Sequence, residues 1–229
     1  MDEGKDFFRY DSLAFFGKVN ASISHELKNV MAIISETAGL LGDLSDMASN
    51  GTPIKPDMLK SCTGSIVEEI QRGFLTIRQM NRFAHSVDTP VESVNLMDVL
   101  DLAITLSGYL SFSGKTNLMP CKGVTPTAST CPFLLQAIVY QALVHAFKNT
   151  GPGAEITISF HARDDSAWRI IFSRFLVNKF QEFPDAPTKA MAESIGVAIH
   201  FDRTAHRLEL EVPLTIESTT TDQVAPGIE

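Results

Sequence analysis

Ser24-His25-Glu26-Leu27-Lys28-Asn29 is the stretch on which the reading of this chain turns. It lies inside an amphipathic pattern from about Asp11 to Met47, where Phe16, Val19, Ile23, Leu27, Val30, Ile34, Leu41 and Leu44 recur at intervals of three and four, with Thr37 filling one gap. That spacing belongs to a helix packed in a bundle. His25 is not on this seam. At about 100° per residue it falls roughly 180° around the helix from Ile34, on a stripe with Lys18, Ser22, Asn29 and Glu36, and is expected to face solvent. Small side chains at Ala21, Ser22 and Ala32 leave room for another protein's surface to approach the imidazole, which suits an intermolecular reaction.

Two neighbours give such a reaction a mechanism. Asn29, four residues on, projects from the same helix face, so its amide reaches whatever sits at the imidazole. Glu26 points about 100° away. Its carboxylate can bend back to hold or receive the Nδ1 proton, leaving Nε2 as the nucleophile. Periodicity alone, however, equally fits an exposed helix that happens to carry His, Glu and Asn.

After this helix, Ser45 to Pro56 collects Ser, Asn-Gly, Thr-Pro and Lys-Pro, a loop composition. Asp57 is then a candidate N-cap for a second helix running to about Ala84. Leu59, Cys62, Ile66, Ile70, Gly73, Ile77, Met80 and Ala84 form its expected seam. Both helices also carry apolar residues off their seams: Phe15, Ile33, Leu40 and Met47 on the first, Val67, Phe74 and Phe83 on the second. A lone hairpin cannot bury so wide a surface. Either a second copy closes a four-helix bundle, or these residues pack on the chain's own second domain.

Residues 88–95, with the turn Asp88-Thr89-Pro90, read as a linker between a hairpin (1–87) and a second domain (96–216). In the second domain, helical patterns over about Leu96–Ser111 and Phe133–Phe147 alternate with extended ones: a short piece near Leu118-Met119, Glu155–His161 and Trp168–Phe175. A helix near Thr188–Ile195 and two final strands, Val197–Asp202 and Arg207–Val212, complete an α/β layer. Residues 217–229 read as a disordered tail and 1–10 as a frayed first turn.

Composition narrows the function. Over 229 residues, 44% hydrophobic and 20% charged content describes a folded protein, not a disordered one. No apolar run is long enough to span a bilayer, and Met1-Asp2-Glu3-Gly4-Lys5 lacks a signal-peptide layout, so the cytoplasm is the expected compartment. A net charge of −8 argues against a nucleic-acid partner, though Lys18 and Lys28 can form a basic patch beside His25. Cys62, Cys121 and Cys131 show neither metal nor disulfide spacing. Gly114-Lys115-Thr116 is not a phosphate loop, because the first glycine would fall at Tyr109 and the segment follows a helix.

The box at 25–29, preceded by Ser24 on the first helix of a hairpin, closely resembles the phospho-accepting box HELKNP of bacterial sensor histidine kinases, departing where Val30 replaces the terminal Pro. The resemblance implies that His25 is the phosphorylated residue, Glu26 its acid/base partner, and Asn29 the residue positioning water or a partner carboxylate. It also implies a homodimeric four-helix bundle, with a straighter first helix in the absence of the Pro bend. The second domain is similar to the ATP-binding domain of these kinases, an ATPase-like α/β sandwich. Gln141-Ala142-Leu143-Val144-His145-Ala146-Phe147-Lys148-Asn149-Thr150 resembles their N-box, keeping Ala146, Lys148 and Thr150 but carrying Gln141 and His145 where the family has asparagines. The second of those asparagines binds magnesium in the family, and a neutral imidazole is a poor ligand for that hard ion.

Where the family's DxGxG box would hold adenine, this chain has Arg174-Phe175-Leu176-Val177-Asn178-Lys179-Phe180, and no glycine-rich lid follows. An intact acceptor box beside a decayed nucleotide site resembles the kinase-derived histidine phosphotransferases of bacterial phosphorelays. By that likeness His25 exchanges phosphoryl groups with the aspartates of response-regulator receiver domains, which dock on Lys18, Ser22, Lys28 and Ala32 and bring their own Mg²⁺; no cofactor is expected on this chain. Two alternatives stay open: a divergent kinase that autophosphorylates His25, and a non-enzymatic dimer that docks on and blocks a partner. The remaining histidines, His85, His161, His200 and His206, carry no metal spacing.

Overall fold

The computed structural model describes residues 3–108, 114–121, 123–150, 153, 155–163, 166–174, 183–202 and 204–216, with side chains from residue 12 onward. Two long helices, α1 (Glu3–Ser49) and α2 (Pro56–His85), come first. Phe16 meets Phe83, Glu26 meets Arg72 and Val30 meets Gly73, so the pair runs antiparallel as a hairpin. The expected seam of α1 is the one that packs, with Val19, Ile23, Val30 and Leu44 buried. The stretch expected to fray is helical from Glu3. The N-cap of α2 is Lys55, whose side chain makes no cap bond; Pro56 opens the helix, where its missing N–H costs nothing, and Asp57 lies in the first turn instead.

The seam of α2 differs from the expected one by more than its ends. Cys62, Ile66, Glu69, Gly73, Thr76, Met80 and Phe83, buried or half-buried, run in an unbroken alternation of four and three, with half-buried Ser65, Arg72, Gln79 and Ala84 beside them. Ile70 and Ile77, chosen on hydrophobicity, are 42% and 38% exposed. Two polar residues hold the seam positions because each has its own partner: Glu69 bonds Arg72, and the Thr76 hydroxyl donates to the Arg72 carbonyl at 3.0 Å. Gly73 lets the helices approach closely, since a Cβ there would stand 3.3 Å from Val30 Cγ1.

Half of the stretch read as linker is a strand. Residues Glu92–Asn95 are a strand, β1, paired antiparallel with a strand absent from the sequence reading, β3 (Thr127–Thr130), Ser93 lying opposite Ser129. Between them run α3 (Leu96–Gly108) and β2 (Lys115–Leu118); the Ser111 end expected for that helix falls outside the described residues. After β3 come α4 (Pro132–Thr150), β4 (Glu155–Arg163), β5 (Ala167–Ser173), α5 (Ala186–Ser194), β6 (Ala198–Asp202) and β7 (Arg207–Pro213). The main sheet has the order β2-β4-β5-β7-β6, with β2 parallel to β4 and the other neighbours antiparallel. Alternate residues Ile156, Ile158, Ile170, Phe172, Leu208, Leu210 and Val212 are fully buried in one core with Leu96, Leu100, Leu106, Leu135, Ile138 and Leu143 of α3 and α4. The polar residues between them line the other face, where Arg169 pairs with Glu209. The expected tail, 217–229, lies outside the described residues.

The hairpin is not tethered loosely to this layer. Phe15 and Phe16 of α1, Phe83 of α2 and Phe133 and Tyr140 of α4 form one aromatic cluster; Phe15 is 5.6 Å from Phe83 edge to face, 5.7 Å from Phe133 and 5.1 Å from Tyr140. Phe15 and Phe83, read as off-seam surface, are 4% and 0% exposed. Of the two explanations for off-seam apolar residues, packing on the second domain holds for these two. It does not hold for Leu40, Met47, Val67 and Phe74, which stay open to solvent.

Candidate functional site

His25 sits midway along α1 on the face opposite α2, exposed as the periodicity requires. Lys18, Ala21, Lys28, Asn29 and Ala32 are exposed around it, so the imidazole stands in an accessible strip of small and basic residues. Ser22 departs from this. It is half-buried and its Oγ is turned out of solvent without a hydrogen-bond partner, so the hydroxyl is not presented to an approaching protein.

Asn29 is where the i, i+4 relation puts it: its Nδ2 lies 3.4 Å from His25 Nδ1. Glu26 is not at the ring. Its carboxylate reaches across the hairpin to Arg72 of α2, accepting from Nε at 2.8 Å with NH2 at 2.6 Å. On its other side Arg72 donates from NH1 to both oxygens of Glu69, at 2.9 and 3.0 Å. The Glu26 hydrogen bond holds the Arg72 guanidinium above its ordinary value, against the opposing effect of desolvation. Two carboxylates on one arginine make a charge-assisted set in the seam itself.

Arg72 and Glu69 are the residues the sequence reading missed. The signal was present: Glu69 falls at a seam interval from Ile66 and Gly73, and a carboxylate there needs a cation within reach. The expected carboxylate–imidazole contact is thus replaced by a carboxylate–guanidinium one, because a permanent cation outcompetes a neutral ring for Glu26.

The second candidate region lies on α4. His145 is 5% exposed, stacked on Phe183 at 4.6 Å and 29°, and set edge-on to Phe201 at 5.5 Å and 86°. Asn149, one turn on, donates to the His145 carbonyl at 2.7 Å and brings the same nitrogen within 3.3 Å of Nε2. Burial pushes the imidazole below its ordinary value; the charge of Asp185 opposes this and that of Lys148 adds to it. His145 is therefore a neutral core side chain wedged between rings, while Gln141 is half-buried and Lys148 exposed. The expected DxGxG counterpart lies largely outside the described residues, which end at Arg174, in the left-handed region at φ 67°, and resume at Phe183. Among the described residues no three His, Cys, Asp or Glu are grouped to hold a metal ion, and no helix is long and apolar enough to cross a membrane.

No family model and no curated protein matches this chain. Solved structures do resemble it in arrangement. The histidine kinase AdeS of Acinetobacter baumannii is 9% identical over 83% of this chain and 98% of that one, with a TM-score of 0.45. A bacterial phosphotransferase is 13% identical over 87% and 95% of the two chains, with a TM-score of 0.46. The ATP-binding domain of PrrB from Mycobacterium tuberculosis is 17% identical over 57% of this chain and 100% of its own, with a TM-score of 0.44. At such identities and scores, what His25 does has to be argued from its own surroundings.

Proposed function

We propose that this chain is a histidine phosphotransferase of two-component signalling, in which His25 takes a phosphoryl group from the aspartate of one response-regulator receiver and passes it to another. The observation that carries the reading is the pairing of an exposed imidazole on a rigid helix with an amide one turn away. A phosphohistidine has high transfer potential, so exchange with an acyl phosphate is close to balanced, and the receiver supplies Mg²⁺ and its own lysine. What remains for this chain is to present the ring in a fixed geometry, which is a matter of position more than of chemistry.

The divergent-kinase reading is disfavoured by His145. In place of the magnesium-binding asparagine that the resemblance calls for, a buried neutral ring is packed between Phe183 and Phe201. A homodimer belongs to the proposal as well. Val67, Ile70, Phe74 and Ile77 lie at intervals of three and four along α2 and are 38–65% exposed, forming a second apolar stripe about a third of the way around the helix from the one used within the hairpin. A second copy of the hairpin would close it into a four-helix bundle. The cytoplasm is the compartment in which such a relay would act.

The test is to mix the full chain with receivers charged by a small phosphodonor, and separately with millimolar ATP, alongside His25→Ala. Acid-labile, base-stable phosphate that appears only with a charged receiver and is absent from the variant is the expected result. Label from ATP alone would establish a kinase instead. Binding to a receiver with no label under either condition would establish a docking protein.

A further inference from the structure

Glu26, the carboxylate adjacent to the acceptor, does not touch its ring, and Asn29 does approach it. We propose that Asn29 is the positioning residue whose amide orientation switches His25 between its two tautomers, and that Arg72 withholds Glu26 from that task. The inference rests on the reading of His25 as the phosphoryl acceptor and names how that site is set.

Glu26 is held by two short contacts from Arg72, at 2.8 and 2.6 Å, and its side chain is only 20% exposed. Arg72 is in turn anchored from behind by both oxygens of Glu69. Swinging Glu26 to the imidazole would break charge-assisted bonds and leave the guanidinium half satisfied in the seam. The Asn29 amide has no such commitment among the described residues; its one hydrogen-bond partner is His25 Nδ1, at 3.4 Å. A half-turn of that amide exchanges Nδ2 for Oδ1, and the two orientations impose opposite tautomers. With Nδ2 toward the ring, as in the structure, Nδ1 accepts and the proton of the neutral imidazole sits on Nε2, which then has no lone pair to attack with. With Oδ1 toward the ring, Nδ1–H donates to it and Nε2 carries the lone pair.

The second orientation balances the transfer without a base. The Nε2 lone pair forms the N–P bond as the P–O bond to the receiver's aspartate breaks, and that electron pair leaves on the carboxylate. The Nδ1 proton stays where it is, and the ring becomes a phospho-imidazolium whose N–H faces Oδ1. Reversal returns the phosphoryl group by the same path. No proton changes hands, so Glu26 can serve the hairpin instead of the ring.

The experiment is ring-¹⁵N NMR of the full-length labelled chain at a pH where the imidazole is neutral, which reads the His25 tautomer ratio with no phosphodonor present. The Nε2–H tautomer, which the observed Nδ2 contact imposes, is expected to dominate in the wild type and in Glu26→Gln. Asn29→Asp, whose carboxylate can only accept, is expected to move the ratio toward Nδ1–H. Asn29→Ala, which offers Nδ1–H no acceptor, is expected to slow phosphate uptake from a charged receiver about tenfold, the cost of one hydrogen bond. A ratio unmoved by Asn29→Asp, or shifted by Glu26→Gln, would overturn the assignment. Because the ratio is read without phosphate, a correct tautomer response in a chain that takes up no phosphate would sink the acceptor reading alone.

Discussion

His25 and His145 have the same local arrangement and opposite surroundings. Each is followed one helical turn later by an asparagine whose Nδ2 stands 3.4 or 3.3 Å from a ring nitrogen. At position 25 the ring is open to solvent and the amide is committed to nothing else among the described residues. At position 145 the ring is enclosed by Phe183 and Phe201, and the amide is already bonded to a backbone carbonyl at 2.7 Å. The His-Asn pair therefore carries no function by itself. On the proposed reading, access for a second protein and a free amide separate a reactive ring from a packing element, and both are set by which helix face the residue occupies.

The strongest way to break this comparison is to exchange the two fates. His25→Ala should reduce receiver-derived phosphate to background, while His145→Phe, which keeps a flat ring between its neighbours, should leave label on His25; residue-resolved mass spectrometry after receiver labelling decides. Label retained in His25→Ala would mean the exposed ring is not the acceptor. The next effect concerns the stripe of α2 proposed as the dimer face. Phe74→Glu places a charge in the exposed stripe of α2 and should halve the mass in light scattering, the helical signal being kept.

The aromatic joint ties the two regions together, and its loss should show in stability. Phe83 is fully buried against Phe15, Phe16 and Phe133, so Phe83→Ala should cost about 3–5 kcal/mol in chemical denaturation. The smallest effect is the dependence of stability on pH. Burial lowers the pKa of His145 in the folded chain, so between that value and the ordinary one near 6.5 the unfolded chain binds the extra proton. Stability then rises with pH through this window and is lost as pH falls below about 6.5. His145→Phe should flatten that acid limb in thermal melts taken from pH 7 downward.

The sequence was most legible where one period governs one face. The seam of α1 and the outward position of His25 follow from intervals of three and four, and Asn29 follows from His25. On α2 two phases compete. Ile70 and Ile77 outrank Glu69 and Thr76 by hydrophobicity, yet the helix turns the polar pair inward because Arg72 and a backbone carbonyl satisfy them. That choice frees Ile70 and Ile77 for a second surface and removes Glu26 from the imidazole. Phe15 and Phe83 could not be assigned from periodicity, which marks a residue as off-seam without saying what it meets. The β1–β3 ribbon was hidden for another reason: Glu92-Ser93-Val94-Asn95 and Thr127-Ala128-Ser129-Thr130 are short and polar, and their pairing depends on a tertiary anchor, the Trp168 indole donating to the Thr127 carbonyl at 3.1 Å.

The most direct test of the central claim is a ³¹P and ¹⁵N NMR spectrum of the chain after incubation with a phosphodonor-charged receiver. The account predicts one phosphorus–nitrogen coupling per chain, to Nε2 of His25, that disappears when an uncharged receiver is added in excess. A coupling to Nδ1, phosphate on any other residue, or a signal raised by ATP without a receiver would contradict it.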